Sequence, residues 1–500
     1  MSRRLTGLLT ATALLAGAGA ALAVQPGAPA PLAKVERSIL SATGSLHAFV
    51  QYDRPVGDAD LRALSALGIT KLHPYKYVNA VSVIAPSALL QKAAGLTGVV
   101  QVQQDHGLDL HLDKSKKAIK ADKARAAKPK GLGLTGKGVT VAVIDSGLDD
   151  SHPDLADNTK ATLNFEGGWL WDSYQDGSVS NEVAEATAPY AAVDEVGHGT
   201  HVASTIGGSG AAAHLPTGTG ADYSGVAPGV QLVGMKVASA VQGVAYDFGW
   251  EANAMAAIEY LMEHNKELGV SIVHNSWGIF EVDNPDSEPV IQMVRAAVNA
   301  GFIFVFSAGN NGPDEGSVTW PGAMGNVITV GSTVKTAPFG VSRFSSRGPQ
   351  VDVAAPGSNI VAARSKGAVI DFGNAATPPQ DLPFYMAISG TSMSSPHVSG
   401  VVALLKQAYP RLSGPVAQEI LERTAVDLGD KGKDDSYGWG FVDAYRAGQV
   451  AVCLNKTATS KREACFTAVR ALPKSKWKSD WNTKGNEAPT ANESLPVPPV

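Results

Sequence analysis

From Gly136 onward the chain alternates two apolar patterns. Near-continuous apolar runs at residues 139–144, 231–237, 270–274, 302–306 and 327–330 are separated by stretches with helical spacing at 198–206, 251–268 and 289–300. Runs without a polar alternate suit strands buried on both faces of a parallel sheet. Strands alternating with helices predict an α/β fold, a doubly wound, mostly parallel sheet flanked by helices, with its chemistry beyond the carboxyl ends of the strands. Residues 390–405 are polar in their first half and apolar on nearly every side in their second, which predicts a helix buried all round. Pro396 belongs in a first helical turn, where its missing N–H is no loss. That sets Ser392 at the helix N-terminus, beside free backbone N–H groups.

Upstream the periods are shorter. Residues 46–52 read as a strand, 58–67 as a helix, 75–84 as one long or two short strands, 87–96 as a helix and 99–104 as a strand. Together they form a small α+β split-βαβ module with no cysteine and no catalytic cluster. Residues 24–43 are Ala/Pro-rich and read as a loose spacer. Residues 111–130 carry eight Lys or Arg against two Asp, the pattern of a solvated linker or flexible helix and a natural place for proteolytic nicking. No aromatics are interleaved there to stack on bases, which argues against a nucleic-acid tail. Past Tyr445 the helical pattern fades, and the last fifteen or so residues have a disordered composition.

Composition narrows this picture. A chain of 500 residues exceeds one ordinary domain, and 44% hydrophobic content is ample for a core. The net charge of −5 suggests neither a nucleic-acid partner nor a membrane surface. Arg3 and Arg4, an apolar small-residue stretch at 8–20 and Ala21-Leu22-Ala23 read as an export signal with an A-x-A cleavage site. The flanks of the paired arginines fit a twin-arginine signal poorly. No later apolar run reaches the roughly 18 residues of a spanning helix. Cys453 and Cys465 are the sole cysteines. In an exported protein they read as an internal disulfide, with free thiols or pairing to another chain as alternatives.

Three polar residues stand where the sheet rule points. Asp145 ends the first apolar run, His198 opens a helix in Gly197-His198-Gly199-Thr200-His201-Val202-Ala203, and Ser392 opens the buried helix. An acid, an imidazole and a hydroxyl are what serine acyl transfer needs. After 302–306 comes Ser307-Ala308-Gly309-Asn310, whose Asn side chain could donate to an oxyanion. Each residue alone has a plainer reading: a helix-capping Asp, a hydrogen-bonded His (as His201 is read), a turn Asn.

Taken together, the motifs resemble those of the subtilisin-like serine peptidases, the subtilase family. Asp145-Ser146-Gly147 with His152-Pro153-Asp154-Leu155 is similar to the family's aspartate motif, 197–203 to its histidine motif, Gly390-Thr391-Ser392-Met393-Ser394-Ser395-Pro396-His397-Val398 to its serine motif and Ala308-Gly309-Asn310 to its oxyanion motif. Gly225-Val226-Ala227-Pro228, Asn275-Ser276-Trp277-Gly278, Phe344-Ser345-Ser346-Arg347-Gly348-Pro349 and the stretch 437–444 add support in the correct order. The resemblance implies a serine endopeptidase with Ser392 as nucleophile, His198 as general base and acid, Asp145 as its orienting partner, and Asn310 with the Ser392 N–H as oxyanion hole. It implies no cofactor for catalysis. It assigns Ser276-Trp277-Gly278 to the strand that pairs with the substrate backbone and Gly243 to the opposing edge, so that protein or peptide substrates bind by β-augmentation. Trp277, near the first pocket, then suggests tolerance rather than a charge filter.

The chain thereby divides into a signal (1–23), a spacer (24–44), a module similar to the family's inhibitor propeptide (45–112), a basic linker holding the processing site between about 110 and 134 (113–133), a peptidase domain (134–447) and a C-terminal extension (448–500). The expected product is a secreted or periplasmic monomer made as a zymogen, with its own propeptide as intramolecular inhibitor. The sequence departs from small bacterial subtilisins in long segments at 165–194 and 367–384, and in Thr217-Gly218-Thr219-Gly220-Ala221-Asp222, which stands where the Asn-rich calcium loop is expected. Asp154 matches a calcium-ligand position, so a structural calcium remains an expectation. An esterase of the α/β-hydrolase type requires the order Ser, acid, His, opposite to the order here. The alternative is an inert binding protein on a peptidase fold, which usually lacks a triad member, whereas all four catalytic positions are filled here.

Overall fold

The computed structural model describes residues 34–104, 109–110, 115–116, 118–128, 130–165, 193–215, 222–239, 251–280, 282–368 and 384–470. The expected export signal, most of both long segments, 217–221 of the expected calcium loop, Gly243 and the C-terminal tail lie outside them.

The main sheet has seven parallel strands in the spatial order Val353–Ser358, Ile328–Val334, Ile303–Ser307, Val270–Asn275, Thr140–Asp145, Gln231–Lys236, Thr159–Asn164. The chain starts near the centre at Thr140–Asp145, fills one side, then returns to build the other from Val270–Asn275. These two adjacent strands flank the switch point, where an open α/β sheet leaves a crevice beyond its carboxyl ends. Side chains alternate across the sheet as the strand period demands. Val141 and Val143 face a core with the His198–Gly207 and Thr391–Ala408 helices. Ala142 and Ile144 face a second core with the Glu251–Leu268 and Pro289–Asn299 helices. The two outermost strands, Thr159–Asn164 and Val353–Ser358, escape the sequence pattern. One is largely polar and the other holds Pro356 and Gly357, features that belong to sheet edges.

The N-terminal module is a four-stranded antiparallel sheet, Lys71–Pro74, Ala80–Pro86, Ser45–Tyr52, Val99–Gln104, with helices Asp58–Ala66 and Ser87–Ala93. The spacer reading fails at its end: Arg37–Ser41 is helical, Ile39 is buried, and the Ile39 carbonyl accepts the Ser87 hydroxyl at 2.6 Å.

Two further expectations are corrected. The basic stretch is not a solvated linker where it is described. Ile119, Ala121 and Ala124 are buried in the main core, and the Ala444 N–H bonds the Ile119 carbonyl at 2.9 Å. Lys120 pairs with Asp443 at 2.8 Å, and Lys123 lies over the Tyr445 ring. Past Tyr445 the chain remains helical, in Ala444–Lys456, capped by Asp443, and Arg462–Arg470. Cys453 and Cys465 are disulfide-bonded and join these two helices.

Candidate active site

Ser392 lies one residue into the Thr391–Ala408 helix, which is buried from Thr391 through Leu405. Pro396 sits beyond the first turn, later than the sequence reading places it. Its missing N–H therefore leaves the Ser392 carbonyl without the usual helical donor, and the Ser276 hydroxyl supplies one at 2.8 Å. Reciprocally, the Ser392 hydroxyl donates to the Ser276 carbonyl at 2.9 Å. The Ser276 hydroxyl is itself held by His274 Nε2 at 2.7 Å.

Asp145 ends its strand at the switch point, and its Oδ1 lies 2.6 Å from His198 Nδ1, both residues fully buried. The same oxygen accepts the Ser146 N–H at 2.7 Å. His198 begins its helix in direct contact with the Asp145–Gly147 turn, because Gly199 carries no side chain. A Cβ there would stand 2.1 Å from the Gly147 carbonyl oxygen. Asp194, which sequence reasoning missed, ties turn to helix. Its carboxylate accepts the Ser146 hydroxyl at 2.8 Å, the Gly197 N–H at 2.7 Å and the Thr200 N–H at 2.8 Å. Burial pushes its carboxyl up, against the hydrogen bonds from Thr200 and Gly197 and the charge of Lys236. An acid just before a helix start is the signal that could have found it. Burial also lowers three neighbouring imidazoles, His201 and His274 to about 3 and His397 to about 4, so all three are neutral at pH 7. His201 bonds the Ile360 carbonyl, in keeping with a structural role.

Asn310 follows the Ile303–Ser307 strand. Its Oδ1 accepts the Thr391 N–H at 2.9 Å and the Thr391 hydroxyl at 3.0 Å. With the oxygen so engaged, the amide NH₂ is the donor left for other acceptors. Trp277–Gly278 forms a short strand whose antiparallel partner is Asp109–Leu110, with Trp277 opposite Leu110 and Gly278 opposite Asp109. The Trp277 side chain does not line a pocket. It is fully buried, donates its indole N–H to the Ile144 carbonyl at 3.1 Å and packs edge-on to Phe306. The structure thus brings Asp145 to His198, Asn310 to Thr391 beside Ser392, and Ser276 to Ser392. Asp154 lies apart: its carboxylate accepts the Ala212 N–H at 2.8 Å and the Tyr385 hydroxyl at 2.9 Å.

With this geometry in place, comparison with known proteins is direct. The subtilase family model matches residues 136–440. Serine protease AprX of Bacillus subtilis (strain 168) is 32% identical over 380 residues, covering 72% of this chain and 77% of AprX. Subtilisin E of the same strain is 30% identical over 378 residues, covering 75% and 82%. Among solved structures, fervidolysin from Fervidobacterium pennivorans, described as a keratinolytic enzyme related to subtilisin, superposes with a TM-score of 0.61 at 22% identity, covering 82% of this chain and 61% of that one, a likeness of fold. The chain belongs to the subtilase family. It is a serine endopeptidase.

Proposed function

We propose that this endopeptidase is a secreted, self-processing zymogen in which Ser392, His198 and Asp145 act as the catalytic triad. In this reading the Ser392 oxygen bonds to the scissile carbonyl carbon while His198 takes its proton. Asp145 holds the imidazole tautomer and stabilises the imidazolium. The oxyanion forms beside the Asn310 amide and the Ser392 N–H. Collapse expels the amine, which takes the proton back from His198, and water then hydrolyses the acyl-enzyme by the same steps in reverse roles.

The observation that carries the reading is the antiparallel pairing of Asp109–Leu110 with Trp277–Gly278. The end of the N-terminal module lies along the edge assigned to substrate, one residue from Ser276. The module itself sits on the Glu251–Leu268 helix. Phe49, Tyr75, Val78 and Ala80 share a core with Ala252 and Met255. The Lys76 N–H bonds Glu259 at 2.6 Å, and Gln103 bonds Glu288 at 2.5 Å. A module docked this way inhibits by occupying the substrate edge. Cleavage after Leu110 and before Ile119 releases it without disturbing the buried Ile119, Ala121 and Ala124. Substrates are polypeptides held mainly by their backbone. The Cys453–Cys465 disulfide and the 1–23 signal support export to an oxidising compartment. No helix among the described residues is long and apolar enough to cross a membrane.

Intact mass and N-terminal sequence of the secreted protein, beside the Ser392→Ala variant, test this. Wild type is expected to begin between residues 111 and 116, and the variant to retain the module. Identical processing of both chains would overturn self-processing. A fluorophosphonate that labels the processed wild type at a residue other than Ser392 would overturn the triad.

A further inference from the structure

The resemblance leads one to expect a structural calcium with Asp154 as a ligand, and the described residues around Asp154 do not fit that ion. A calcium site needs six to eight oxygen ligands, with carboxylate oxygens turned toward the metal. Both Asp154 oxygens face protein donors instead. Oδ1 accepts the Ala212 N–H at 2.8 Å and lies 3.1 Å from the Tyr385 hydroxyl, and Oδ2 is 2.9 Å from that hydroxyl. Burial and then the Asp154 charge push the Tyr385 phenol up, so it stays protonated as a donor. No group of three or more His, Cys, Asp or Glu able to hold a metal occurs among the described residues.

A positive charge that belongs to the chain lines the same cavity as Tyr223, whose ring packs on Tyr385. Lys116, upstream of the buried Ile119, reaches into a cavity of about 210 Å³ bordered by Thr205, Asp222, Ser224, Gly225, Ile360 and His397. Its Nζ donates to Asp222 Oδ1 and to Ser224 Oγ, both at 2.7 Å, and its side chain is only 10% exposed. The Ser224 hydroxyl donates in turn to Asp222 at 2.5 Å. Arg125, which directly follows the buried Ala124, donates to the same Ser224 hydroxyl and to the Gly225 carbonyl, each at 3.0 Å. The preceding residue is fixed as well, because the Ser115 N–H donates to His397 Nε2 at 2.8 Å. Burial raises the Asp222 carboxyl, but the Lys116 and Ser224 hydrogen bonds outweigh it and hold the group well below the usual carboxylate range, whereas burial lowers the Lys116 ammonium against its bond to Asp222, and the ion pair rests on the 2.7 Å contact.

We propose that Lys116 is a built-in cation that pins the first segment of the catalytic domain to the Asp222–Gly225 loop, so that this segment stays docked without a calcium ion at Asp154. The tether itself stands whether or not the upstream chain is removed. Only its consequence, that the processed enzyme keeps its N-terminal segment seated, rests on the zymogen reading above.

The test is thermal unfolding of the full-length Ser392→Ala chain in EDTA and in millimolar calcium chloride, with hydrogen exchange read over residues 118–125. The parent chain is expected to have the same midpoint in both solutions. Lys116→Gln is expected to lower it by roughly 2–4 °C in both and to speed exchange over 118–125, with Lys116→Arg restoring part of the loss. Asp222→Asn attacks the half-exposed side of the pair, and the same direction is expected should Lys116→Gln fold poorly. A calcium-dependent rise in the parent midpoint would overturn the proposal. So would a Lys116→Gln chain with unchanged midpoint and exchange. Intact mass of the wild-type chain reports on processing separately, so failure of the zymogen reading and failure of the tether are distinguishable.

Discussion

Replacing Gly199 with alanine should disable the enzyme while leaving most of the fold intact. The added Cβ would stand 2.1 Å from the Gly147 carbonyl oxygen and 3.2 Å from the Asp145 Cβ. Packed interiors do not absorb such overlap, and a contact of that kind relaxes only when the helix and the turn separate by about 1 Å. The pair that must then stretch is His198 Nδ1 with Asp145 Oδ1, now 2.6 Å apart and both fully buried. At about 3.5 Å the hydrogen bond is lost. A 1 Å misplacement costs on the order of 10²-fold, and loss of the orienting carboxylate contact on the order of 10⁴-fold. The expected fall in kcat/KM therefore lies between about 10² and 10⁴, or about 3–5 kcal/mol of transition-state stabilisation.

The assay is hydrolysis of a peptide anilide by the variant after the N-terminal module has been removed, with thermal unfolding measured alongside. Gly136→Ala is the matched control. Its Cβ would stand 2.5 Å from Val230 Cγ1, at a backbone φ of +84°, so it also strains the core, but away from His198. A Gly199→Ala enzyme within threefold of the control's activity would refute the argument that the His198 helix is seated rigidly on the Asp145 turn.

Other perturbations follow from the same coordinates. Asp352 is buried, accepts from Thr329 and Gln418, and has its carboxyl pushed up to about 7, mainly by burial. Because the folded value exceeds the unfolded one, its contribution is full below about pH 4 and is lost as pH rises through 7. Asp352→Asn should flatten the unfolding midpoint between pH 4 and 7, and a variant profile parallel to wild type would contradict this. Tyr75, 4% exposed and bonded to the Ala252 carbonyl at 3.3 Å, anchors the N-terminal module. Tyr75→Ala should weaken inhibition by the separately added module by about 30-fold or more, read as Ki, and an unchanged Ki would remove it as an anchor. The Cys453–Cys465 bond closes a separation of 12 residues, so the double serine variant should lose roughly 3 kcal/mol, seen as a lower midpoint that reductant no longer affects.

What the sequence revealed divides along physical lines. Asp145, His198, Asn310 and Ser392 could be proposed from sequence because each is embedded in short motifs whose neighbours are dictated locally: a strand end, a helix start, a close glycine. The buried strands were legible from apolar runs, whereas Thr159–Asn164 and Val353–Ser358 were not, because edge positions tolerate polar residues and proline. The docking of 118–125 was hidden by composition. Eight basic residues obscure three small apolar ones, and the burial of Ile119, Ala121 and Ala124 depends on the distant Ala444–Lys456 helix. The direction of the Trp277 side chain was equally non-local, being set by the Ile144 carbonyl and the Phe306 ring.

The Ser276-Trp277 dipeptide has a mechanical consequence. Its hydroxyl and carbonyl are laced to Ser392, its indole to the carbonyl just before Asp145, and its backbone to the strand laid on it. The edge proposed to receive a peptide and the two elements that carry Ser392 and Asp145 are therefore hinged on one pin. In the proposed mechanism, a peptide that settles poorly on that edge meets a Ser392 that is itself out of line, so recognition and reactivity cannot be tuned apart at these two residues.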